Sequence, residues 1–251
     1  AGVGMVIGLI VYLWGQKYLA EDNLARKAAA HATNEPLTQK EWQGIFGLIV
    51  LCVLNIVFWG VYEQQGNTIQ LFADSNTDWH LFGWEMPSTW FQSFNPAFIF
   101  LLAPFFDRLW AKQGQKGKEP SSIAKMAIGC SLLGLSFLVL IFAVSGIKPD
   151  QKITYLWLVG CTLIYTVGEL YLSPIGLSLV TKVAPARLVS MMMGMWFLSS
   201  FFGNYLSGYI GTYYEKMPKE GFFLLLTVMA VGAGAAMFAL KAPLKRAIGD
   251  V

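Results

Sequence analysis

The chain divides into apolar runs at about 1–19, 44–72, 90–110, 123–146, 153–180, 188–213 and 221–241, separated by short polar segments. Each is about 19 residues or longer, enough at ~1.5 Å per residue to cross the ~30 Å core of a bilayer as a helix. The pattern predicts seven membrane spans. Before the second run, Thr38 has the side chain of an N-cap and Glu41 stands three residues on as its capping-box partner.

Polar residues inside these runs are the candidate chemistry. In the fifth run, Glu169 falls near the middle and Pro174 follows five residues later. A carboxylate at that depth costs roughly 2.5–3.5 kcal/mol on insertion scales, so it should face a cavity, a partner or a substrate. Pro174 cannot donate to the carbonyl of Leu170, which predicts a kink. A structural reading stays open, in which a neighbouring helix satisfies the carboxyl. In the second run Trp59 and Glu63 share a helix face that Gly66 and Asn67 continue, a stripe suited to binding; Glu63 could instead snorkel to the interface. In the third, Pro96 leaves the carbonyl of Gln92 without its donor, beside the amides of Gln92 and Asn95. Those amides suit either a peptide-like ligand or an interhelical clasp.

The remaining runs read as support. The fourth, with no ionisable residue beyond Lys125, is expected to be peripheral scaffold. The sixth opens on Met191, Met192, Met193 and Met195, adaptable packing, and places Trp196 and Ser200 on one face. Gly203, Ser207 and Gly211 then give a ridge of small residues for close helix contact. The seventh, uncharged and rich in glycine and alanine over 232–236, is packing and anchor.

Composition agrees with a membrane protein. Of 251 residues, 55% are hydrophobic and 13% charged, with a mean hydropathy of +0.52, where a soluble domain carries roughly 25% charge. If the segment after the first run is cytoplasmic, fourteen of the eighteen lysines and arginines fall inside and only Lys148, Lys152, Lys216 and Lys219 outside. The net charge of +3 therefore reports topology, with no nucleic-acid partner implied. Cys52, Cys130 and Cys161 all lie within spans and imply neither disulfides nor a metal. His31 and His80 stand alone in polar loops. With no histidine inside a span and no paired carboxylates at ligand spacing, an intramembrane enzyme is not expected, nor a metal or other cofactor. The chain starts inside an apolar run, and 1–19 is read as the end of a helix whose beginning is missing.

Together these residues resemble the C-terminal half of the proton-dependent oligopeptide transporters, a branch of the major facilitator superfamily. The resemblance spans the chain and rests on four ordered stretches: Phe58-Trp59 through Glu63-Gln64 to Ala73; Trp90 to Pro96; Gly168-Glu169 through Ser173-Pro174 to Ser178; and Met192 to Leu198. It implies an all-α integral membrane fold, a six-helix bundle over 44–241 preceded by the end of the last helix of the N-terminal half over 1–19. A cytoplasmic linker over 20–43 and a cytoplasmic tail over 242–251 complete this organisation, in the cell (inner) membrane. It further implies symport of di- and tripeptides with protons by alternating access. By this resemblance Glu169 meets the peptide's α-amino group and Asn95 holds its backbone. Trp59, Trp196, Phe197 and Ser200 wall the side-chain pocket, Glu63 carries the coupling proton, and Pro96 and Pro174 kink their helices. The family's Glu-x-x-Glu-Arg motif and a lysine of its N-terminal half are not in this chain, so the implied partners are peptides, protons, the bilayer and an N-terminal half-transporter. The open alternatives are another small solute, such as an amino acid or nitrate, and a non-transporting structural subunit. Glu169 argues against an anion.

Overall fold

The hydroxyl of Thr38 accepts the N–H of Glu41 at 3.3 Å while the Glu41 carboxylate accepts the N–H of Thr38 at 2.8 Å, so the first long helix starts on the expected capping box. The computed structural model describes residues 2–18, 36–146 and 151–248, with side chains from residue 5 onward; His31 and most of the 20–43 segment lie outside them. The helices are α1 (Gly2–Gly15), α2 (Gln39–Tyr62), α3 (Thr68–Ser75), α4 (Phe91–Gln115), α5 (Ser122–Val144), α6 (Leu156–Val183), α7 (Val189–Gly211), α8 (Lys219–Ala239) and α9 (Lys241–Ile248). Each of the seven apolar runs carries a helix among the described residues.

Among the described residues, four helical segments are both long and apolar enough to cross a membrane: 39–75, α5, α6 and α8. The other three apolar runs lie on helices below that level of length or composition: α1, with 14 described residues, and α4 and α7, long enough but diluted by amides, serines, tyrosines and tryptophans. The 44–72 run is not one helix. It closes at Tyr62, winds as a 3-10 turn over Glu63–Gly66, and resumes as α3. The tighter turn rotates everything beyond it, so the stripe expected to continue from Trp59 through Glu63 is interrupted. α4 and α6 run unbroken through Pro96, Pro104 and Pro174.

Neighbouring helices follow the order α4, α6, α5, α8, α2, α7, with α7 also meeting α6. α5 thus packs between α6 and α8, with Leu135 and Phe142 exposed on its remaining face. Its small residues allow this: a Cβ on Gly168 of α6 would lie 2.6 Å from the carbonyl oxygen of Gly129, and one on Gly134 would lie 2.8 Å from the carbonyl oxygen of Thr227 on α8. Backbones in contact maximise dispersion where lipid removes the usual hydrophobic drive between helices.

The small-residue ridge of α7 performs as expected, against α2. Ser199 accepts the amide of Asn55 at 2.8 Å, and Gly203 lies on the Cβ of Trp59 and the backbone of Gly60. Ser207 receives the Gln64 amide at its carbonyl (2.9 Å) and hydroxyl (3.0 Å), and a Cβ on Gly211 would lie 2.6 Å from the Asn67 amide. Partner numbers rise together, so the two helices run parallel. Gln64 also donates to the carbonyl of Gly60 at 3.2 Å and accepts from Thr68 at 2.7 Å, stapling the break between α2 and α3.

At the far end of α3 the chain forms short strands β1 (Thr77–Asp78), β2 (His80–Leu81) and β3 (Trp84–Glu85), with β4 (Ile153–Thr154) added later. β1 pairs in parallel with β4, and β2 with β3 in a hairpin turning at Phe82 and Gly83, both at positive φ. Trp79 is buried here, donating to the carbonyl of Ala73 at 2.7 Å and stacking on Phe94 and Tyr155. His80 Nδ1 lies 2.7 Å from the Asp78 carboxylate.

Two outcomes follow from these contacts. Gly168→Ala should lower the thermal unfolding midpoint of the detergent-solubilised protein by an amount equivalent to about 1–3 kcal/mol, the usual cost of overpacking, whereas Gly194→Ala, with open space around it, should not. In the exposed pair, the hydrogen bond to Asp78 raises the pKa of His80, and the reciprocal bond lowers that of Asp78. The contribution of His80 is complete below its unfolded pKa and is lost as pH rises through the raised folded value. That of Asp78 is present above its unfolded pKa and lost as pH falls through the depressed one. An NMR titration of the His80 ring should have its midpoint above about 6.5, and Asp78→Asn should return it there.

Candidate functional site

Glu169 stands at the midpoint of α6, where Gly168 has already brought the α5 backbone against its other side. Its carboxylate accepts the Nδ2 of Asn95 at 2.8 Å. Asn95, buried on the first turns of α4, also donates to the hydroxyl of Thr166 at 3.1 Å. Thr166 in turn donates to the carbonyl of Thr162 at 2.7 Å. The hydroxyl of Tyr62, the last residue of α2, reaches the Asn95 Oδ1 at 3.5 Å. Three helices therefore meet at one polar knot inside an apolar bundle. A buried amide and carboxylate each need partners, and here they supply one another.

Around the knot the aromatic side chains are interlocked. Tyr62 stacks on Phe58 at 5.7 Å between ring centres and meets Trp59 and Tyr165 edge-on at 5.3 and 5.8 Å. These contacts fix the Tyr62 hydroxyl beside Asn95. Among the described residues, the buried indole N–H of Trp59 has no hydrogen-bond acceptor.

The structure brings together Glu169, Asn95 and Trp59, the last through Tyr62. Glu63 is half-buried on the 3-10 turn directly after Tyr62. Among the described residues, neither Glu63 nor Glu169 has a lysine, arginine or histidine within 4.0 Å. The ring of Trp196 covers Gly176, two turns along α6 from Glu169, and is buried. Ser200 is half-buried on the next turn of α7, while Phe197 is 59% exposed on a face that no described residue covers.

Residues missed in the sequence are Tyr62, Thr166 and Gln64. Thr166 lies one turn before Glu169 on the same face, a spacing that would have found it. Gln64, not Glu63, takes the place facing α7, because the 3-10 turn shifts the phase of the helix there.

The sequence profile of the POT family matches residues 21–229. The peptide transporter YePEPT of Yersinia enterocolitica (subsp. palearctica serotype O:3, strain YE-P4) is 34% identical over 219 residues, 85% of this chain and 43% of that protein. The di-/tripeptide transporter of Lactococcus lactis subsp. cremoris is 31% identical over 223 residues, 87% and 44%. Among solved structures, a peptide transporter POT in complex with sulfate superposes with a TM-score of 0.77 at 27% identity, covering 98% of this chain and 52% of that one. A POT family transporter in complex with a thioalcohol-conjugated peptide gives 0.76 at 25%, covering 96% and 52%. The chain thus spans less than half the length of these curated relatives and about half of the solved chains. Its helices adopt the all-α membrane fold of that superfamily of transporters, and the chain belongs to the POT family.

Proposed function

We propose that this chain supplies the C-terminal half of a proton-coupled symporter of di- and tripeptides that works by alternating access. The observation that carries the reading is the mid-helix carboxylate of Glu169, held by the Asn95 amide at 2.8 Å and lacking a cationic partner among the described residues. A carboxylate oriented by a neutral amide is a receptor for a primary ammonium, and the same amide can turn to a peptide group. The peptide's α-amino group binds Glu169 and its backbone binds Asn95. Trp59, Trp196, Phe197 and Ser200 form the side-chain wall, with exposed Phe197 presented toward the N-terminal half of the transporter. Peptide transporters among the relatives support this cargo.

Glu63 carries the coupling proton. It adjoins Tyr62, whose hydroxyl contacts Asn95, so a change at Glu63 is transmitted to the amine site through one residue. A cation from the N-terminal half would pair with Glu63 in one state and leave it in the other, favouring first the charged and then the neutral carboxyl. Pro96 and Pro174, where helix carbonyls lose their donors, are the bending points for rocking the two halves. The setting is the cell (inner) membrane, with 20–43 and the C-terminus cytoplasmic.

Uptake of labelled dialanine into vesicles holding the complete transporter tests the reading. Wild type should accumulate peptide only with an inward proton gradient. Glu169→Gln should weaken peptide affinity at least tenfold, about 1.4 kcal/mol or more. Unchanged affinity would remove Glu169 from the amine site, and uptake of nitrate or amino acids in place of peptide would reassign the cargo. Glu63→Gln should abolish gradient-driven accumulation and keep counterflow exchange; retained accumulation would overturn its role. The 251-residue chain reconstituted by itself should give no uptake above empty vesicles.

A further inference from the structure

At the end of the bundle where α4 and α6 stop and α5 and α9 begin, a cleft of about 760 Å³ opens between them. Four lysines line it, Lys125, Lys182, Lys241 and Lys245, against the two carboxylates of Asp107 and Glu119. Lys125 is 5% exposed: its ammonium pairs with Glu119 and lies 4.5 Å from the centre of the Trp110 ring, itself a wall of the cleft. Glu119 is thereby neutralised. Lys182 and Lys241 have no carboxylate within 4.0 Å among the described residues, and the first turn of α5 adds its positive end through Ser121 and Ser122. The cleft therefore carries uncompensated positive charge in a concave site with an aromatic floor.

Its surroundings say what kind of anion reaches it. α9 is a short amphipathic helix whose Leu244 and Ile248 are buried, Ile248 against Gly47 of α2, while Lys245 and Arg246 are exposed. Such a helix lies along the end of a membrane bundle at headgroup level. Basic clefts between membrane helices at that level take phosphate-bearing groups, which lysine binds as a point charge. We propose that this cleft binds a phosphate-bearing anion, supplied by the phosphodiester headgroup of an anionic membrane lipid, with Lys182 and Lys241 as its direct contacts.

The test is thermal unfolding of the full transporter in detergent, titrated with short-chain phosphatidylglycerol, short-chain phosphatidylcholine or inorganic phosphate. Phosphatidylglycerol should raise the midpoint saturably, and Lys182→Gln/Lys241→Gln should weaken its apparent affinity at least tenfold with the lipid-free midpoint unchanged. Lys152→Gln, at the opposite end, should behave as wild type. If the double variant is itself unstable, the exposed single variant Lys182→Gln is read in its place, with a severalfold loss expected. Equal protection by phosphatidylcholine, or by phosphatidylglycerol in all variants, would overturn the site. Protection by inorganic phosphate matching that of phosphatidylglycerol would overturn the lipid as its source.

Discussion

In a bilayer, helices gain nothing from hiding apolar side chains from one another, because lipid is as apolar as they are. What holds such helices in one arrangement is contact close enough for backbones to touch, together with polar groups that have no solvent to turn to. Both devices recur through this chain. Gly129 and Gly168 join α5 to α6, and Gly134 brings α5 against α8. The ladder from Ser199 to Gly211 joins α7 to α2 and the turn beyond it, hydrogen bonds at Ser199 and Ser207 alternating with close approaches at Gly203 and Gly211. Bulky apolar residues such as Phe46, Val53, Phe142 and Val228 remain exposed on the faces turned away from these seams.

The site depends on the same constraint. Gly168 and Glu169 are adjacent, so one side of α6 is pressed onto α5 while the neighbouring side offers its carboxylate to α4. A larger residue at 168 would push α6 outward and carry Glu169 away from Asn95. The break after Tyr62 follows similar logic. Gln64 satisfies the carbonyl of Gly60 and ties the turn to Ser207, which frees Tyr62 to end α2 with its hydroxyl at the polar knot. A turn inside a membrane segment is tolerated because side chains replace the backbone bonds it gives up.

The two ends of the bundle differ in the same terms. At one, short strands and a buried Trp79 close the chain with backbone and indole hydrogen bonds. At the other, lysines gather around a cleft, and Lys125 has its charge met at depth by Glu119 and the face of Trp110. The charge bias visible along the chain thus becomes a surface with its own chemistry.

The sequence by itself determined the helices, because apolar run length and capping are local properties. Thr38 and Glu41 began α2, Gly203, Ser207 and Gly211 formed a contact ridge, and the placing of Glu169 in mid-span followed from counting residues. The family was legible too, through motifs ordered on four helices. Only the tertiary structure decided which ridge met which helix, that α5 packs between α6 and α8, that Trp196 covers Gly176, and that Asn95 and Glu169, 74 residues apart, share a hydrogen bond. The helical period relates residues within one helix, whereas a contact between helices depends on their relative rotation and register. Even within a run, the 3-10 turn after Tyr62 was hidden, since Gln64 stabilises it through Ser207 on a helix more than a hundred residues away.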